Sequence, residues 1–139
     1  MATYHYGQFS LGHLKAIREG ITLFNDEKYW ECHEYLEGLW LDDVGDKARL
    51  VYWAILQLAV CLYHYREENL IGAQGLLKKS KDKIKRCEAE KVETSLMYTF
   101  LDWDLLKKIV ERIPDGPTLK DFETLSEFKF RPDPKEWRI

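Results

Sequence analysis

The sequence predicts an all-α fold, a compact helical bundle of about five main helices with antiparallel neighbours. Three observations carry this. Apolar residues recur at helical spacing, and no stretch alternates as a half-buried strand does. Glycine and proline are sparse, 8 and 4 in 139 residues, and punctuate the periodic segments. The connections are short, which favours antiparallel packing of consecutive helices.

Ser10 is placed as the N-cap of a first helix to about Phe24, with Leu14, Ile17, Ile21 and Phe24 on one face. Asn25-Asp26 breaks it, and Asp26 is read as the cap of a second helix to about Asp43. Gly45 ends that connection. A third helix runs from about Asp46 to Glu68, and its middle is apolar all round, as a central, covered helix would be. Asn69 marks a tight break before a fourth helix, about Leu70 to Arg86, with Leu70, Ala73, Leu76, Leu77 and Ile84 inward. Cys87 to Thr94 is polar and reads as a loop or fraying end. A fifth helix spans about Asp102 to Arg112, with Leu105, Leu106, Ile109 and Val110 as its apolar stripe, until Pro114, Gly116 and Pro117 stop it. In the partly extended tail, 114–139, one short helix is expected over Leu119 to Phe128, and Arg131-Pro132-Asp133-Pro134 reads as extended.

A length of 139 residues suits a single helical domain. A hydrophobic content of 45% excludes wholesale disorder. With 21 basic and 24 acidic residues the net charge is −3, which argues against a generally cationic nucleic-acid binder. Cys32, Cys61 and Cys87 form no CxxC pair and no disulfide framework, and Cys32 and Cys61, set among apolar residues, read as core thiols of a cytoplasmic protein. Met1 to Gln8 lacks the basic and apolar regions of a signal peptide. The uncharged run Leu50 to Tyr65 is shorter than the roughly 18 residues a membrane span needs, so no membrane is expected.

The second helix carries His33-Glu34-Tyr35-Leu36-Glu37. With Tyr29 at zero on the helical wheel, Trp40 falls near about 20°, His33 near 40°, Glu37 near 80° and Trp30 near 100°. His33 and Glu37 therefore sit between two tryptophans at the shoulder of the buried face, and Glu34 lies further toward solvent. On the third helix Gln57 and His64 share a stripe with Trp53 beside them. These are the strong polar groups of an otherwise apolar helix, and their simplest partners are His33 and Glu37.

Three readings of this seam stand side by side. His33 and Glu37, at i and i+4, with His64 as a third ligand, could hold a divalent metal. Glu37 could orient His33 or His64 as a general acid/base, with Trp30, Glu34, Trp40, Trp53 and Gln57 lining a small-molecule pocket. A satisfied polar network that fixes packing register is the structural alternative. The motif is HExxE, not the HExxH of zinc peptidases, so a zincin is not indicated. Glu-x-x-His pairs of the ferritin type are absent from the chain.

The blocks Phe24 to Trp40, Ile55 to His64 and Asn69 to Leu77 together resemble domain-of-unknown-function family 309, over about residues 20–85. The resemblance implies a small all-helical domain of prokaryotic type, with His33, Glu34, Glu37, Trp40, Gln57, His64, Gly72 and Ala73 at its motif positions. Ala54 departs from the glycine common there, and its methyl would narrow a close helix approach.

The basic run Lys78, Lys79, Lys81, Lys83, Lys85 and Arg86 fans over about half a helix circumference and reads as a solvated face. Asn69 to Ala73 could cradle a phosphate at a helix start, but close helix packing accounts for its small residues. Tyr4, His5, Tyr6, Phe9, Phe122, Phe128, Phe130 and Trp137 make both ends aromatic. Such ends fold over the domain or bury against a second subunit of a homo-oligomer.

Overall fold

Ser10 begins the first helix through a reciprocal cap. Its hydroxyl accepts from the His13 N–H, and its own N–H donates to His13 Nδ1 at 2.9 Å. The computed structural model describes residues 7–139, so Tyr4, His5 and Tyr6 lie outside the described residues. From this cap α1 runs Leu11–Asn25, followed by α2 Tyr29–Asp42, α3 Arg49–Arg66 and α4 Leu70–Ala89. Then come α5 Ser95–Phe100, α6 Trp103–Arg112 and α7 Glu123–Glu127. Single 3-10 turns cover Leu119–Phe122 and Pro134–Glu136, and no strand occurs among the described residues.

The fold class is all-α as predicted, with several boundaries moved. Asp26 closes α1 instead of capping α2, whose N-cap is Lys28 with no side-chain bond. The third helix starts at Arg49, because Asp46 Oδ1 accepts from the Ala48 N–H and holds a turn there. The fourth helix continues to Ala89, and Cys87, assigned to a loop, is buried in it. Helix α5 was not predicted; its six residues are too few for a periodic signal. The chain expected to be extended over Arg131-Pro132-Asp133-Pro134 carries no helix until Pro134, where the turn Pro134–Glu136 begins because Asp133 Oδ1 accepts from the Lys135 N–H. Leu105, assigned to the inward stripe of α6, is 44% exposed.

Helix α3 packs between α2 and α4, and α1 covers α2 on the other side. Close approaches set these pairs. Gly20 admits Leu36, whose Cδ2 would lie 2.6 Å from an added Cβ. The Ser80 hydroxyl donates to the Ala54 carbonyl at 3.0 Å, and Cys61 Sγ donates to the Ala73 carbonyl, both between α3 and α4. The aromatic tail folds back on its own chain. Phe128 and Phe130 pack on Phe24, and Asn25 Nδ2 and Oδ1 both bond the backbone of Phe130. Trp137 is 4% exposed, with its indole N–H on the Pro132 carbonyl. Phe130 and Trp137 are therefore core residues, not anchors left for a second subunit. No helix among the described residues is long and apolar enough to cross a membrane.

Candidate functional site

α2 and α4 flank α3, and the outward stripe of α3 between them is half-buried: Trp53, Leu56, Val60 and Tyr63. This stripe is the floor of a shallow groove. Its α2 wall carries Trp30, His33, Glu37 and Trp40, held there because these residues recur about once per helical turn. The Trp30 ring lies 4.7 Å from His33 and 5.3 Å from Tyr63. Further along, Trp40 and Trp53 meet at 5.1 Å. Trp30, Trp40 and Trp53 therefore all lie along the contact of α2 with α3.

His33 Nε2 approaches Glu37 Oε2 at 3.8 Å, too far for a hydrogen bond, and the Glu37 side chain is 54% exposed. Glu34 is exposed too. His64 is not on this side. It packs against Gly72 of α4, and Asn69 Nδ2 donates to its Nδ1 at 3.2 Å. The reason is its position on α3, one step round from Tyr63, which turns it from α2 toward α4. Among the described residues no three His, Cys, Asp or Glu side chains converge where a metal ion could bind. The expected set of His33, Glu37 and His64 is therefore not brought together.

The satisfied network is not observed either. Four buried side-chain atoms among the described residues have no hydrogen-bond partner: His33 Nδ1, Trp40 Nε1, Gln57 Oε1 and the Tyr52 hydroxyl. Three of these belong to the predicted seam. An unpaired buried polar group costs roughly 1–3 kcal/mol, so the seam stores unmet bonding capacity.

Cations on the groove are unevenly placed. The Arg49 guanidinium lies 4.2 Å over Trp40, and the Lys83 ammonium 4.2 Å over Trp53. Trp30 has no cation on its face among the described residues, and it is 45% exposed. Helix α2 contains Glu31, Glu34, Glu37 and Asp42 and no lysine or arginine. The basic run is split: Lys83 is only 8% exposed, Lys81 donates to the Ile113 carbonyl, and Arg86 pairs with Glu90. It is not one solvated face, because Trp53 draws Lys83 inward. Burial pushes the Cys61 thiol up to about 12 and raises that of Cys32 further, so neither is poised as a nucleophile.

Clefts of about 550 Å³, between α4 and the Pro114–Pro117 turn, and about 410 Å³, beside Tyr65 and Leu119, lie off the α2 wall, and one of about 290 Å³ is lined by Arg49, Trp53 and Arg86. Sequence reading passed over His13, whose Nε2 bonds Asp46 Oδ2 at 2.7 Å. The Ser-x-x-His spacing of the cap was its signal, and it ties the start of α1 to the turn before α3.

Residues 17–76 match the family model described as a domain of unknown function, DUF309. The chain resembles that family over this segment, which is less than half of its length. The matched segment holds all of α2 and α3 and the start of α4, so the α2 wall and the groove floor lie inside it. The chain is 34% identical over 101 residues to the uncharacterized protein YpuF of Bacillus subtilis (strain 168). That alignment covers 73% of this chain and 52% of YpuF, so the chain spans about half the length of the curated relative it matches. No solved structure matches it at a significant level.

Proposed function

We propose that the α2 side of the groove binds a small ligand through an amino or quaternary ammonium group. One observation carries this. Two groove tryptophans hold a cation at 4.2 Å, whereas Trp30, the most exposed of the three, holds none among the described residues. A cation over an indole face gains about 0.5–2 kcal/mol, depending on its desolvation. Tyr63 and His33 extend the aromatic surface beside Trp30. Glu34 and Glu37 supply the carboxylates, and the 3.8 Å gap between His33 and Glu37 leaves room for both to turn to a ligand.

In this reading Trp30 and Tyr63 stack on the ligand, Glu37 pairs with its charge, and His33 positions Glu37 or exchanges a proton with the bound amine. Trp40 extends the α2 wall, Trp53 lies on the floor, and Gln57 lies buried beside it. His64 stays with Asn69 as a packing residue of α4.

Tetramethylammonium is the probe, added to the chain diluted to its monomeric form and followed by indole fluorescence against a sodium chloride control of equal ionic strength. Saturable quenching is expected, abolished by Trp30→Leu and weakened about tenfold by Glu37→Gln. A response equal to the salt control would remove the proposal.

A further inference from the structure

The two walls of the groove carry opposite charge. The α2 wall presents Glu34 and Glu37, and the α4 wall presents Lys79, whereas Lys83 is buried over Trp53 and pairs with Asp82 at 3.5 Å. Lys79 lies one turn from Lys83, on the stripe that runs back to Gly72.

Contacts fix the heights of these charges. Trp40 meets Trp53 and Trp30 meets Tyr63, one consistent antiparallel register of α2 on α3. Glu37, three residues before Trp40, therefore lies level with Leu56, three after Trp53. On the other side Lys83 meets Trp53 and Gly72 meets His64, again one register. Lys79, four residues before Lys83, lies level with Gln57. Glu37 and Lys79 thus differ in height by a single residue, about 1.5 Å. Across α3 they stand two interhelical spacings apart, roughly 16–20 Å, and cannot pair within one chain.

We propose that this groove is the interface of a two-fold homodimer whose axis runs along α3. Such an axis preserves height and exchanges sides. The acidic α2 of each copy then faces the basic α4 of the other, and Glu37 meets Lys79 of the partner subunit twice. An axis running across α3 would set α2 on α2, acid against acid. The half-buried stripe Trp53, Leu56, Val60 and Tyr63 supplies the apolar centre. Trp30, level with Tyr63 and 45% exposed, extends this apolar surface. The inference rests on the ligand reading in one respect: the α2 wall accepts a cation, and here that cation is Lys79 of the partner subunit.

Sedimentation equilibrium of the full chain tests it. The wild-type chain is expected to be a dimer. Glu37→Lys and Lys79→Glu should each raise its dissociation constant at least about tenfold. The double swap in one chain should restore the wild-type value, because a two-fold axis re-pairs both contacts. Both side chains are exposed, and unchanged melting curves would show that the single variants fold. A chain monomeric at every concentration, or a dimer indifferent to both reversals, would overturn the interface. Tetramethylammonium titrated into Lys79→Glu separates the two proposals. Quenching there with no wild-type dimer sinks the interface alone, and a charge-sensitive dimer with no quenching sinks the small-ligand reading alone.

Discussion

Gln57 shows how a single residue separates a packing role from a binding role. It is 5% exposed, and its Oε1 has no partner. A hydrogen-bonded Gln would cost about 1 kcal/mol or more to replace with an apolar residue, whereas an idle one would not. Gln57→Leu is therefore expected to leave the chain equally stable or more stable by up to about 1 kcal/mol, measured by urea unfolding. A clear loss of stability would mean that the amide is bonded within the fold. The sequence announced that Gln57, His33 and His64 need partners, because they interrupt apolar stripes. It could not say which would lack one, since that depends on a rotation of a few tens of degrees. His64 shows the limit: one step round the helix from Tyr63, it serves α4 instead of α2.

At the scale of elements, the α3–α4 pair depends on Gly72. A Cβ there would lie 2.7 Å from His64 Cγ and 2.8 Å from Asn69 Nδ2, the residue whose Oδ1 caps α4. Gly72→Ala is expected to destabilise the chain by about 1–3 kcal/mol, visible as a lower melting temperature. An unchanged melting temperature would show that His64 has room to move. The start of α6 depends on charge. Burial raises the Glu93 carboxyl, but hydrogen bonds from Lys107, Trp103 and Tyr98 outweigh it and hold the carboxyl below its usual range. A depressed folded value contributes stability above the unfolded value, about pH 4.3, and that contribution is lost as pH falls through the folded one. Glu93→Gln should lower stability at neutral pH and flatten the loss below about pH 4.3, whereas a parallel acid limb would contradict the assignment. The long helices were legible because three or more turns of apolar spacing were available. Helix α5, with six residues, and the turn at Pro134–Glu136 were not, because local hydrogen bonds and tertiary contacts set them.

For the whole molecule, the aromatic composition divides into two jobs. Phe128, Phe130 and Trp137 close the core around α1, Phe122 packs on Tyr65 of α3, and Arg18 fixes the last turn through the Pro134 and Trp137 carbonyls. Trp30, Trp40 and Trp53 instead line an open groove between an acidic and a basic wall. The sequence placed those tryptophans near the histidines. It could not separate the walls, because the distance between α2 and α4 is a property of how both pack on α3. The central claim is that the α2 wall accepts a cation at Trp30. Intermolecular nuclear Overhauser contacts from tetramethylammonium methyl protons to the labelled Lys79→Glu chain, whose α2 wall is uncovered, test it most directly. Contacts to the Trp30 and Tyr63 rings are predicted, and contacts to other surfaces alone, or none at saturating probe, would contradict it.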